Sequence, residues 1–79
     1  MEHEVDVSID CKGLICPMPV VKTRKALKRM DIDQILEMVA TDPGSVPDME
    51  AWEKQTRHQI LHSDEPEEGV FRFVIRKTH

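Results

Sequence analysis

Val5, Val7 and Ile9 alternate with Glu4, Asp6 and Ser8, the period-two pattern of a strand with one buried face. The stretch from Asp10 to Ile15 carries Gly13 and leads into Cys16-Pro17-Met18-Pro19, whose prolines do not fit a strand interior but suit the first turn of a helix. From Pro17 onward Val20, Thr23, Leu27 and Met30 recur at helical spacing between basic residues, predicting a helix that runs to Arg29 or Met30. Residues 31–34 break the pattern. Residues 35–41 then form an apolar run, interrupted only by Glu37, that reads as a buried second strand.

Residues 42–48 are dense in turn formers and predict a loop, with Asp48 placed to cap a short second helix that carries Met49, Trp52 and Thr56 on one face. Residues 59–63 read as a short strand, 64–69 as an acidic turn and 70–76 as a final strand, the two strands pairing as a hairpin. The predicted fold is α+β: a two-layer βαβαββ sandwich with a four-stranded mixed sheet and both helices on one face.

Composition narrows the function. Seventy-nine residues, 39% of them hydrophobic, permit one modest core, so residues 1–79 read as a single domain. A formal net charge of -4 argues against phosphate-backbone binding as the main task, and no direct nucleic-acid contact is expected. The apolar stretches are too short for a membrane span, and the acidic Met1-Glu2-His3-Glu4 start lacks the features of a secretory signal. A cytoplasmic location is the expectation, and a cytosol keeps thiols reduced, which weakens a structural disulfide between Cys11 and Cys16.

The chemistry centres on Cys16. A cysteine at a helix start lies where unpaired N–H groups and the helix dipole favour a thiolate, the form that attacks sulfur. Pro17 and Pro19 stiffen that turn, and Lys22, Arg24 and Lys25 offer positive charge to a partner, although ordinary solvation of a helix face explains them equally well. The plainer alternative is a cysteine buried as a small apolar residue.

Asp10, Gly13-Leu14, Cys16-Pro17-Met18-Pro19, Asp42-Pro43, Asp48 and the Ile75-Arg76-Lys77 ending together resemble the TusA/SirA-like sulfur-carrier family, over nearly the whole chain. The resemblance implies a sulfurtransferase that accepts sulfane sulfur as a persulfide on Cys16. The donor would be a protein such as a cysteine desulfurase or a rhodanese-like protein, and the acceptor a sulfur-relay protein. It implies no cofactor and no metal. Pro17, Pro19, Gly13 and Asp42 are then supporting residues, with Asp42 holding its loop near Cys16. A carrier that docks on several partners would work as a monomer, in transfer RNA thiolation, sulfur oxidation or cofactor assembly.

Two features depart from the family pattern. Cys11 precedes Cys16 by five positions, at most about 17 Å of extended chain, and a loop can fold back to the ~4.4–6.8 Å that a disulfide requires. A resolving thiol and a passive thiol at a strand end both fit, so a dithiol redox protein cycling Cys11 with Cys16 is an alternative function. A non-catalytic interaction or regulatory module is another. Arg57-His58 stands where similar sequences place a helix-closing glycine, so either a non-glycine residue takes a strained cap or the helix ends differently. His58 and His62 do not reproduce a zinc pattern, and Trp52 reads as core.

Overall fold

The computed structural model describes residues 4–79; the opening Met1-Glu2-His3 lies outside the described residues. Its elements are β1 (Val7–Cys11), α1 (Met18–Lys28), β2 (Ile35–Ala40), α2 (Ser45–Thr56), β3 (Gln59–Glu67) and β4 (Val70–Arg76). β1 pairs with β2 in parallel, β2 with β4 and β4 with β3 antiparallel, giving the sheet order β1-β2-β4-β3. This is the α+β sandwich that the hydrophobic pattern predicts.

Register explains why one sheet face is apolar. Val7, Ile9 and Cys11 stand opposite Leu36, Met38 and Ala40, which in turn stand opposite Ile75, Phe73 and Phe71. Side chains alternate along a strand, so all nine share a face. Leu27, Met49 and Trp52 cover that face from the helices and Met30 from the end of α1. Burying each of the larger side chains, such as Phe73, Leu36 and Met49, contributes roughly 1.5–3 kcal/mol. The opposite face is not buried as the apolar run of β2 suggests: Ile35, Glu37 and Val39 are half-exposed there. Glu37 sits in the alternation rather than interrupting it, opposite Val74 and 4.0 Å from Arg72.

Three local expectations change. α2 starts at Ser45, inside the predicted loop, because Asp42 organises the turn: its carbonyl accepts from Ser45 N–H (2.9 Å) and Ser45 Oγ–H (2.6 Å), and its Oδ1 accepts from Gly44 N–H (3.2 Å). Pro47 is tolerated in the first turn, where a missing N–H leaves no bond unmade. Asp48 therefore lies within the first turn and does not cap the helix. Residues 64–67 are strand, not turn: Asp64 pairs with Arg72 and Glu67 with Val70 across one register irregularity, so the acidic run lines an edge strand, where Pro66 is acceptable. Arg57 closes α2 in the left-handed region at φ 65°, so of the two endings that the sequence leaves open the structure shows the strained non-glycine cap.

Candidate functional site

Cys16 sits at the tip of the loop between β1 and α1. The loop is fixed from both ends. Lys12 N–H donates to Asp10 Oδ1 (2.9 Å), and Gly13, at φ 81°, donates its N–H to Thr41 Oγ1 (2.9 Å), which ties the turn to the end of β2. Leu14 N–H returns to Cys11 O (3.2 Å). Cys16 N–H donates to Asp42 Oδ2 (2.7 Å), so one carboxylate holds both the start of α2 and the backbone of the cysteine. The Cys16–Pro17 peptide is cis, and Pro17 is the N-cap residue of α1. Pro19, buried in the first turn, accepts Thr23 Oγ1–H at its carbonyl (2.8 Å).

The thiol is exposed and donates its proton to Asp48 Oδ2. This reverses the expected electrostatics. The Cys16 pKa is raised, first by the hydrogen bond to Asp48, then by desolvation and by the negative charges of Asp48 and Asp42. The helix start offers little to oppose them, because Pro17 and Pro19 have no N–H and Met18 N–H is committed to Ile15 O (2.9 Å). In the resting protein Cys16 is thus a protonated thiol held on a carboxylate, an arrangement in which the base that takes the proton is already in contact.

Around the thiol lies an open groove of about 230 Å³, lined by Pro17, Val20, Asp48, Ala51, Trp52 and Gln55. Ile15 (73% exposed) and Met18 (41% exposed) flank the cysteine in sequence. Sequence reasoning missed these two as site residues, although apolar side chains either side of a Cys-Pro turn were there to be read. It also assigned Asp48 to capping, since nothing local connects residues 48 and 16.

The remaining candidates are dispersed. Cys11 is fully buried in the core, its thiol pushed up by burial, and neither cysteine is in a disulfide. Lys22, Arg24 and Lys25 are all exposed, but Lys22 carries its charge near Cys11 whereas Arg24 lines a separate pocket between the helices. Among the described residues no group of three or more His, Cys, Asp or Glu side chains is placed to hold a metal ion, and no helix is long and apolar enough to cross a membrane. Trp52 is buried with its Nε1–H lacking an acceptor, and its ring stacks on His58 at 5.6 Å.

A family profile described as Sulfurtransferase TusA matches residues 7–77, from the first residue of β1 to just past β4. The chain belongs to the TusA family. It is 43% identical over 75 residues to a protein named sulfur carrier protein TusA from Allochromatium vinosum, covering 95% of this chain and 97% of that one. It is 46% identical over 71 residues to the putative sulfur carrier protein YrkF of Bacillus subtilis, covering 90% of this chain but 38% of that longer protein. Among solved structures, a SirA-like protein from Desulfitobacterium hafniense superposes with a TM-score of 0.79 over 92% of this chain and 99% of that one; at 22% identity it bears on the fold alone. The TusA relatives are named as sulfur carriers, which supports a sulfur-carrier role for this chain.

Proposed function

We propose that this TusA-family protein accepts sulfane sulfur as a persulfide on Cys16 and relays it to a second protein. The observation that carries the reading is the exposed Cys16 thiol bonded to the Asp48 carboxylate, at a loop tip held by Asp42 and flanked by apolar Ile15 and Met18. A docked donor removes water from the thiol and its base, and apolar residues around the sulfur suit such a contact.

The transfer balances without an external oxidant. Asp48 takes the Cys16 proton as Sγ attacks the outer sulfur of a donor persulfide. The donor's S–S bond breaks, its electron pair stays on the donor sulfur, and that sulfur takes up a proton; a new S–S bond stands on Cys16. Release repeats the step in reverse, an acceptor thiolate attacking the outer sulfur and Cys16 leaving. The donor is a protein of the cysteine desulfurase or rhodanese-like kind, the acceptor a sulfur-relay protein, and the exchange proceeds in the cytoplasm with the carrier as a monomer. Pro17, Pro19, Gly13 and Asp42 position the loop.

Burial of Cys11 weighs against the dithiol alternative, because a resolving thiol has to reach an exposed partner as a thiolate. Intact-mass analysis after incubation with a cysteine desulfurase and cysteine tests the reading. A gain of one sulfur, reversed by reductant, absent in Cys16→Ser and kept in Cys11→Ser, is expected. No adduct from any of several sulfur donors, with Cys16 open to alkylation, would move the function to a binding module.

A further inference from the structure

Beyond the Cys16 groove, a second pocket of about 240 Å³ opens between the C-terminal halves of α1 and α2, lined by Arg24, Leu27, Lys28, Trp52, Thr56, His58, Lys77 and His79. Its polar lining is one-sided. Three cations and two histidines converge there, in a chain of net charge -4, and among the described residues no carboxylate side chain lines it. Among the described residues neither Arg24 nor Lys28 has an ion-pair partner, while Lys77 Nζ donates to the carbonyl of Met30 at 2.6 Å. Cations gathered in a concave, partly apolar site focus a positive potential that attracts an anion.

The histidines are fixed in a way that suits the same ligand. His58 lies between two rings, Trp52 at 5.6 Å and His79 at 4.3 Å, the latter stacked nearly parallel at 10°. Thr78 N–H donates to His58 Nδ1 (3.2 Å), so in the neutral ring Nε2 carries the proton. His79 Nε2 meets the carbonyl of Thr56 (2.7 Å), which can only accept, so Nε2 carries the proton there and Nδ1 gains one only when the ring charges. Charging the His58 ring is opposed by its surroundings: burial and the positive neighbours His79 and Lys77 hold its pKa below the ordinary value. From the other elements the groups facing it are Arg24 and Lys28 of α1; on α2 the nearby carboxylate, Glu53, is occupied by Ile60 N–H (2.7 Å). An anion between these groups relieves the repulsion.

We propose that this pocket binds a small dianionic oxyanion of the sulfate or phosphate class, held by Arg24 and Lys28 and tightened when His58 is protonated. The volume falls below the ~300–1,000 Å³ of ordinary small-molecule sites, which suits a compact anion rather than a whole nucleotide. Trp52 lines both this pocket and the Cys16 groove, so occupancy at one end meets the wall of the other. The site does not depend on sulfur being carried on Cys16.

Trp52 is the one tryptophan of the chain and reports on the pocket directly. The test is its emission during titration with sodium sulfate, which keeps its double charge across the histidine range, against sodium chloride at matched ionic strength. A saturable change with sulfate alone is expected, weakened about tenfold or more in Arg24→Gln/Lys28→Gln and stronger at pH ~5.5 than at pH ~8. Both substituted residues are exposed on α1, and an unchanged far-ultraviolet circular dichroism spectrum verifies that the variant is folded. Identical responses to sulfate and chloride, or a folded variant that titrates like the parent, would overturn the assignment.

Discussion

At Cys16 two carboxylates act on one residue from different directions. Asp42 holds the backbone through N–H, and Asp48 holds the thiol through its proton. Asp48→Asn keeps the size of the side chain and removes the charge that raises the thiol pKa. The pH profile of alkylation by iodoacetamide is therefore expected to shift to lower pH, with faster labelling near neutrality. The same variant is expected to load sulfur more slowly from a donor protein, because the proton acceptor is gone. A profile that stays in place or moves upward would remove Asp48 from the account. Cys11→Ser puts a hydroxyl into the core and is expected to cost about 1–3 kcal/mol in denaturant unfolding while leaving the loading of Cys16 intact. The Cys-Pro-Met-Pro turn and the Asp42-Pro43 loop were legible in the sequence because each is a local arrangement of backbone-fixing residues. The Asp48 contact was not, since it joins residues 32 apart and depends on where α2 begins.

Element boundaries follow from which hydrogen bonds win locally. α2 starts at Ser45 because the Asp42 carbonyl accepts both the N–H and the Oγ–H of Ser45, a bond set that outcompetes capping by Asp48. It ends at Arg57, whose backbone at φ 65° is costly for a residue with a Cβ. Arg57→Gly is expected to raise the melting temperature, by about 0.5–1 kcal/mol of stability, since the Arg57 N–H to Glu53 O bond (2.8 Å) and the Thr78 bond to its carbonyl (2.9 Å) belong to the backbone and survive. An unchanged or lower melting temperature would mean that the arginine side chain offsets the strain. The absent glycine was visible in the sequence, but whether α2 would take a strained cap or end differently was not. The length of β3 was not: acidic residues and Pro66 read as a turn, whereas at an edge strand charge and proline are compatible with pairing on one side.

For the whole molecule, the sheet separates an apolar face under the helices from an open polar one. On the open face Arg72 binds Asp64 through two nitrogens (3.1 and 2.8 Å) and lies 4.0 Å from Glu37, while His62 reaches Asp64 at 3.1 Å. The Asp64 pKa is lowered, chiefly by the hydrogen bond from Arg72, so its contribution to stability is present above the ordinary carboxylate range and lost as pH falls through it. His58, also lowered, acts in the same direction: the unfolded chain takes up its proton first, so stability falls as pH drops below about 6.5. The raised thiols of Cys11 and Cys16 act at the other end, where the unfolded chain loses protons first and stability falls as pH rises past the ordinary thiol range. Melting temperature against pH is expected to be highest near neutrality, with the first acid step reduced in His58→Gln. Retention of that step in the variant would assign it to another group.

Whether sulfur travels on Cys16 is measured directly by peptide mass spectrometry of the sulfur-loaded protein, alkylated before digestion so that each sulfur stays where it was placed. The extra sulfur is expected on the peptide that contains Cys16, with none on Cys11, and is expected to be lost when an acceptor thiol protein is added. Extra sulfur on Cys11, or a Cys11–Cys16 disulfide in place of the persulfide, would contradict carriage on Cys16.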